Sequence, residues 1–443
     1  MKNLKKYICV LLVGMLSIST IVGLASCSDN KSTGNDSEIE SNERSESDST
    51  NSGDESNNEN NNDDENNENN GDNNDKAIKL DSKATFIKLL DERQEFTDTG
   101  ITCDWSCAGI EFEAECEGDI TVKLTVNSYT GCYFRAYVDG AEWKNGTTPY
   151  YECLSGATEI VLKDIPNGKH TVKLVKATGY TLAKTNLVSI EFENGTPTAQ
   201  APADKELFIE YIGDSIFCGW GVVQTPWGAY NGTYQSQDGT LAVPYLVSSK
   251  LNADYSVIAV SGQGVVYGDP NIENAYKYAS YQRDKTVEYG FERKADVVVV
   301  NVGTNDVASG GAVTADAFAT AYKRMLEYVR AKNGDDCIIV AVYNMMNGGY
   351  GTRVEETIEQ LGGNANNYYV IRADRCSGVN NNAGHPTAEE NIEYAEAIGN
   401  TIKSIINGEY VAPEGADMLI QLGGNLAEAD IPAILWKDKT ETN

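Results

Sequence analysis

Leu207-Phe208-Ile209-Glu210-Tyr211-Ile212-Gly213-Asp214-Ser215 decides the fold of this chain. An apolar run of strand length ends abruptly in Gly-Asp-Ser, which reads as a buried strand that delivers a hydroxyl at its carboxyl end. Four more runs of the same kind follow, over 256–260, 296–301, 337–343 and 368–372. Helix-like stretches separate them, near 242–251, 315–330 and 388–406. Buried strands alternating with helices predict an α/β domain: a doubly wound parallel sheet with helices on both faces. In such sheets ligands gather at the carboxyl ends of the strands.

Four unusual blocks fall at those ends. Gly213-Asp214-Ser215 follows the first strand and Ser261-Gly262 the second. Gly303-Thr304-Asn305-Asp306 follows the third, and Gly384-His385-Pro386 precedes the last helix. A serine hydroxyl is a weak nucleophile until a base takes its proton. The oxyanion formed by its attack then needs aimed donors. Ser215 with its own N–H, the Gly262 N–H and the Asn305 side-chain amide supply such parts, with Gly264 a rival to Gly262. His385 is the candidate base. The chain has only two histidines, and the other, His170, sits in a different region, on a strand after a hairpin signal. Asp214 and Asp306 read as loop braces. Trp220, Trp227, Tyr230 and Tyr234 crowd the segment after Ser215. Aromatic faces suit sugar rings and suit core packing equally, and Cys218 reads as a small apolar filler.

In this order, these blocks resemble those of the SGNH (GDSL-type) hydrolase superfamily. The longer stretches Gly213-Asp214-Ser215-Ile216-Phe217-Cys218-Gly219-Trp220-Gly221, Ser261-Gly262-Gln263-Gly264-Val265 and Val300-Asn301-Val302-Gly303-Thr304-Asn305-Asp306 are similar to carbohydrate esterase family 2. The resemblance covers roughly residues 77–407. It implies a small jelly-roll domain ahead of the hydrolase domain and removal of acetyl groups from plant polysaccharides. No metal or organic cofactor is implied. Many members carry an Asp three residues before the His; here that position is Asn382. The resemblance therefore also implies a Ser–His dyad with a backbone carbonyl holding the imidazole. The family tends to place an aromatic residue over the acetyl site, on the loop after the fourth strand, where Tyr350 is the candidate. Trp220 and Trp227 are the other candidate substrate contacts. Two competing expectations remain: an esterase for a lipid or cell-wall acetyl group, and a glycan-binding lipoprotein with an inert hydrolase fold. Intact Ser215 and His385 argue against inertness.

The preceding segment has period two. Ile120, Val122, Leu124 and Val126 alternate with polar residues, then Phe134, Ala136 and Val138 lead to a turn signal at Asp139-Gly140. Ile160 and Leu162 lead to a hairpin signal at Asn167-Gly168, followed by Val172 and Leu174, then Val188, Ile190 and Phe192. Short alternating strands with turn signals predict an all-β sandwich.

The formal charge is −31 over 443 residues. No basic stripe exists to neutralise phosphates, which argues against a nucleic-acid partner. The acidity is concentrated: residues 28–75 hold 16 acidic residues against Lys31 and Arg44, a net of −14. That Asn/Asp/Glu/Ser tract cannot bury enough apolar surface to offset ordering entropy, so it predicts a disordered tether. As a coil it would span roughly 35–40 Å. Ahead of it, Lys2, Lys5 and Lys6 precede an apolar run that ends in Leu24-Ala25-Ser26-Cys27. This order resembles a bacterial lipoprotein signal, with Cys27 the acylated new N-terminus. The expected localisation is the bacterial cell surface, held by a lipid anchor. Export permits disulfides among the remaining cysteines, although their spacing does not give a connectivity. Cys103 and Cys107 lack the histidine partners that a zinc site needs. The expected organisation is a signal peptide over 1–26, a tether over 27–76 and a β-sandwich over 77–202. A hydrolase domain over 203–410 and a tail over 411–443 complete it.

Overall fold

The parallel strands form where the apolar runs lie. The structure, a computed structural model, describes residues 77–128, 130–223, 233–346, 350–377, 384–412 and 419–420. The signal, Cys27, the tether, Trp227, Tyr230 and Asn382 lie outside these residues.

The N-terminal part is built on four main strands: β1 (Gly109–Ser128), β2 (Cys132–Val138), β3 (Gly156–Lys176) and β4 (Ala183–Pro197). With six shorter strands they make one ten-stranded array, in which every pair is antiparallel. The Asp139-Gly140 signal is borne out. Both residues have positive φ, 52° and 79°, as a two-residue turn between β2 and the strand Ala141–Trp143 requires.

Two expectations are corrected. The strands are not short: β1 has 20 residues and β3 has 21. Bulges let strands of this length bend, and the β1–β3 register shifts on both sides of Gly118. The Asn167-Gly168 signal is no hairpin either. Gly118 pairs with Ile165 and Cys116 with Gly168, so β3 runs straight on with Pro166 and Asn167 bulged out. Proline lacks the ladder donor and is tolerated at a bulge. His170 closes it, with Nε2 2.8 Å from the Pro166 carbonyl and Nδ1 2.7 Å from Asp139. A similar slip makes Val188 the extra residue of β4 and buries Leu187 instead. Alternate side chains along β1, from Ile110 and Phe112 to Leu124 and Val126, are buried in one core with those of β2 and β3.

In the C-terminal part, β5 (Phe208–Gly213), β6 (Asp254–Ala259), β7 (Val297–Asn301), β8 (Ile338–Tyr343) and β9 (Tyr368–Ala373) lie parallel. Their order is β6-β5-β7-β8-β9, and the two-residue strand Leu419–Ile420 adds a sixth at the edge. Helices α1 (Val243–Leu251), α2 (Ile272–Lys277), α3 (Thr304–Ala308), α4 (Ala315–Asn333), α5 (Gly351–Gln360) and α6 (Ala388–Ile406) connect them. The strand order reverses between β5 and β7, and such a switch point opens a crevice at the carboxyl edge.

The two parts are joined by buried polar contacts. Arg93 donates to the Tyr276 and Tyr278 carbonyls and pairs with Glu210 on β5. Arg135 of β2 pairs with Asp238, which also accepts the Tyr150 hydroxyl. Arg283 holds Asp104 through two nitrogens.

Candidate active site

Three loops and one helix entrance build the site. β5 ends at Gly213, where a Cβ would stand 2.5 Å from the Phe217 ring. Only glycine lets the chain turn this tightly and present Ser215 at the strand end. Ser215 Oγ lies 2.7 Å from Nε2 of His385, and both residues are largely buried. His385 is placed by the start of α6. Thr387 accepts the Glu390 N–H, and Glu390 accepts the Thr387 N–H, a reciprocal capping box two residues past the imidazole. Cys376 Sγ also bonds the Gly384 carbonyl at 3.1 Å.

The two glycines of the second loop differ in geometry. Gly264 donates its N–H to the Tyr267 carbonyl at 2.9 Å, and a Cβ there would meet the Asp306 carboxylate at 2.3 Å. It is a packing glycine. Gly262 has φ +80° and open space where a Cβ would be. Its N–H, like that of Ser215, has no acceptor among the described residues. The two N–H groups follow neighbouring strands, since Gly213 and Ala259 are registered partners on β5 and β6. Unpaired donors at a buried serine are the raw material of an oxyanion hole.

Asn305, early in α3, ties the loops together. Its Nδ2 donates to the Gln263 carbonyl at 2.9 Å and to Asp214 at 3.2 Å. An amide has two hydrogens, so reaching an oxyanion requires giving up one bond, and the longer one to Asp214 is the weaker. Asp306 accepts the N–H groups of Val265, Val266 and Tyr267. Asp214 accepts the Ile216 N–H. Both acids therefore sit as braces.

The aromatic candidates divide. Tyr350 stacks on Phe318 and gives its hydroxyl to the Val313 carbonyl, so its ring packs against the fold. Trp220 is half-buried, with its N–H on the Ser215 carbonyl. Tyr234 docks on the β-rich part, its hydroxyl on Glu152 at 2.6 Å. Tyr267 was not among the sequence candidates. It is 43% exposed at the end of the Gly262 loop. Only its place after the Ser261–Val265 block could have flagged it.

Burial pushes the Asp214 carboxyl up to about 7, with the Asp306 charge adding to it, and burial pushes Asp91 up to about 6. Contact with Asp139 raises His170. Groups raised in the folded state favour folding fully below their unfolded pKa. That advantage is lost as pH climbs through the folded value. For Asp214 it is on the order of 4 kcal/mol at most. The lowered carboxylates Asp139, Asp254 and Glu273 act oppositely, but only in more acid solution, below their ordinary range near 4. The expected result is a higher Tm at pH 5 than at pH 8; an equal or reversed order in thermal denaturation would refute it.

Comparison with known proteins finds two matching families. Residues 211–402 match the GDSL-like Lipase/Acylhydrolase family, and residues 93–202 match Carbohydrate esterase 2 N-terminal. Cellulase/esterase CelE of Acetivibrio thermocellus is 30% identical over 266 residues, which is 58% of this chain and 31% of that protein. The chain thus spans about a third of the length of the curated relative it matches. A family two carbohydrate esterase from Clostridium thermocellum, solved in complex with cellohexaose, superposes with a TM-score of 0.64 at 25% identity. That match covers 72% of this chain and 99% of that one. An acetyl xylan esterase from the rumen bacterium Butyrivibrio proteoclasticus shares the fold, with a TM-score of 0.64 at 16% identity, over 76% and 99% of the two chains.

Proposed function

We propose that this chain, which matches the GDSL-like Lipase/Acylhydrolase family over residues 211–402 and Carbohydrate esterase 2 N-terminal over residues 93–202, is a serine esterase removing O-acetyl groups from polysaccharides or their oligomers. The observation that carries the reading is the 2.7 Å bond between Ser215 Oγ and His385 Nε2, beside two N–H groups without an acceptor among the described residues. Ser215 attacks the acetyl carbonyl while His385 takes its proton. The oxyanion is held by the N–H groups of Ser215 and Gly262 and by the Asn305 amide. His385 returns the proton to the departing sugar oxygen, and water clears the acetyl-enzyme. Tyr267 offers an exposed ring on which a sugar can stack. The cellohexaose bound by the Clostridium thermocellum relative supports a β-linked glycan chain as the ligand.

In this reading residues 77–202 are a jelly-roll-like domain and residues 203–410 the hydrolase domain. The chain is exported and held at a bacterial surface by acylated Cys27, on the acidic tether. Two acyl chains anchor stably where one is marginal. Mass spectrometry of the mature N-terminus checks this: cleavage elsewhere, or an unmodified Cys27, removes the anchor and leaves the esterase reading standing.

Acetate release from a panel of acetylated glycans, run beside a chromogenic acetyl ester, tests the activity. Turnover of the small ester without acetate from any glycan would redirect the substrate to another ester. No turnover of either would mean an inert fold. Asn305→Ala is expected to lower kcat by roughly 10²–10³ with KM little changed, the worth of one oxyanion donor. An effect confined to KM would place Asn305 in binding instead.

A further inference from the structure

Cys132 on β2 and Cys153, at the end of the strand Tyr151–Cys153, are registered partners across an antiparallel pair. Registered partners point to the same face of a sheet with Cα atoms roughly 4.5–5.5 Å apart, inside the span of a disulfide. Both side chains are fully buried. The neighbouring Cys153 thiol, helped by the charge of the buried Lys176, holds the Cys132 thiol below its ordinary range against the opposing effect of burial. The other six described cysteines are also buried thiols, and among the described residues no other two share a register. Cys116, for example, faces Gly168 and Gly195.

We propose that Cys132 and Cys153 close a cross-strand disulfide when the chain folds in oxidising surroundings, and that this bond braces the ledge that receives Tyr234. The next registered pair is Tyr133 and Glu152, on the opposite face of the same two strands. Tyr234 gives its hydroxyl to Glu152 and sets its ring edge-on to Tyr133, with centroids 5.1 Å apart. The bond therefore fixes the two strands that anchor the chain downstream of the nucleophile turn. The oxidant is a disulfide compound, oxidised glutathione or a disulfide-bearing protein. The Cys132 thiolate attacks one of its sulfurs and expels the first thiolate. Cys153, deprotonated, then attacks Cys132 Sγ and expels the second. Two protons and two electrons leave the protein, and the oxidant becomes two thiols. Because both thiols are buried, exchange takes place during folding, before the strand Tyr151–Cys153 closes over them.

The test is peptide mapping of the full chain. Reduced, denatured protein is refolded in a glutathione redox buffer, alkylated under denaturing conditions and cut with trypsin. Residues 124–135 and 145–163 are released as single-cysteine peptides. The expected product joins them, lighter by two hydrogens than the separate pair. Reductant should then lower the Tm of the refolded protein by about 2–10 °C. A Cys132→Ala/Cys153→Ala double variant should lose that sensitivity, and if it does not fold, the wild-type map and melting curve decide alone. Recovery of both peptides separately alkylated, or of Cys132 joined to any other cysteine, would overturn the pairing. A joined peptide with no change in Tm on reduction would overturn the brace. None of these readouts involves ester turnover, so they stand apart from the esterase assignment.

Discussion

Ser215→Ala is expected to lower kcat/KM for acetyl-ester hydrolysis by about 10⁶ and to leave the fold intact. Residues of a nucleophile–base unit act together, so loss of the nucleophile alone removes nearly all of their joint contribution. What survives, about 10³–10⁴ over water, comes from the oxyanion donors and binding. The backbone that supplies those donors is held by other contacts. Asp306 holds residues 265–267, Asn305 ties the Gln263 carbonyl to Asp214, and the turn after Ser215 is closed by Cys218 N–H on the Asp214 carbonyl. Among the described residues the hydroxyl itself makes one bond, to His385, worth about 1 kcal/mol to stability. Steady-state kinetics on a chromogenic ester and a melting curve read both halves. An active variant with the wild-type Tm would remove Ser215 from the mechanism, and with it the proposed acetyl-enzyme.

Arg93→Met is expected to cost about 3–5 kcal/mol of stability, the usual effect of breaking one side of a buried ion pair. The Arg93 side chain is fully buried and its Glu210 partner 2% exposed. The guanidinium also lies over the rings of Tyr276, Tyr289 and Phe291, 4.4–5.1 Å from their centroids. Without it, Glu210 keeps only the Tyr276 hydroxyl among the described residues and becomes an uncompensated buried charge. The double variant Arg93→Met/Glu210→Gln should recover much of the loss, because the amide put in place of the carboxylate would still accept from Tyr276 and carries no net charge. Denaturant unfolding of the two variants measures this. A double variant no more stable than the single one would show that packing of the guanidinium on the rings, and not the orphaned charge, dominates.

Much of the α/β half was legible in advance because its signals are local. The runs that became β5 to β9 are apolar over a strand's length, and residue type alone places them. The special residues sit at their carboxyl ends, so Ser215, Gly262, Asn305 and His385 could be named together. The β-rich half was less legible. Asn167-Gly168 is a strong turn signal, yet it became a bulge. Local turn chemistry is worth on the order of 1 kcal/mol, and the β1–β3 pairing continues on both sides of the bulge, so the long-range ladder prevails.

By itself the sequence determined the parallel α/β domain, the period-two domain ahead of it and the residue types at the strand ends. These follow from periodicity and from glycine and proline positions, which neighbouring residues dictate. Tertiary structure alone decided which donors are free. Gly262 and Gly264 look equivalent in the sequence, but the Gly264 N–H is spent on Tyr267 and its α-carbon packs on Asp306. Tertiary structure also decided that Asn305 is shared with Asp214, that Arg93 meets Glu210 across 117 residues, and that Cys132 faces Cys153. Hydrogen bonds and ion pairs act over a few ångströms, and only the folded chain brings residues so far apart in sequence within that range.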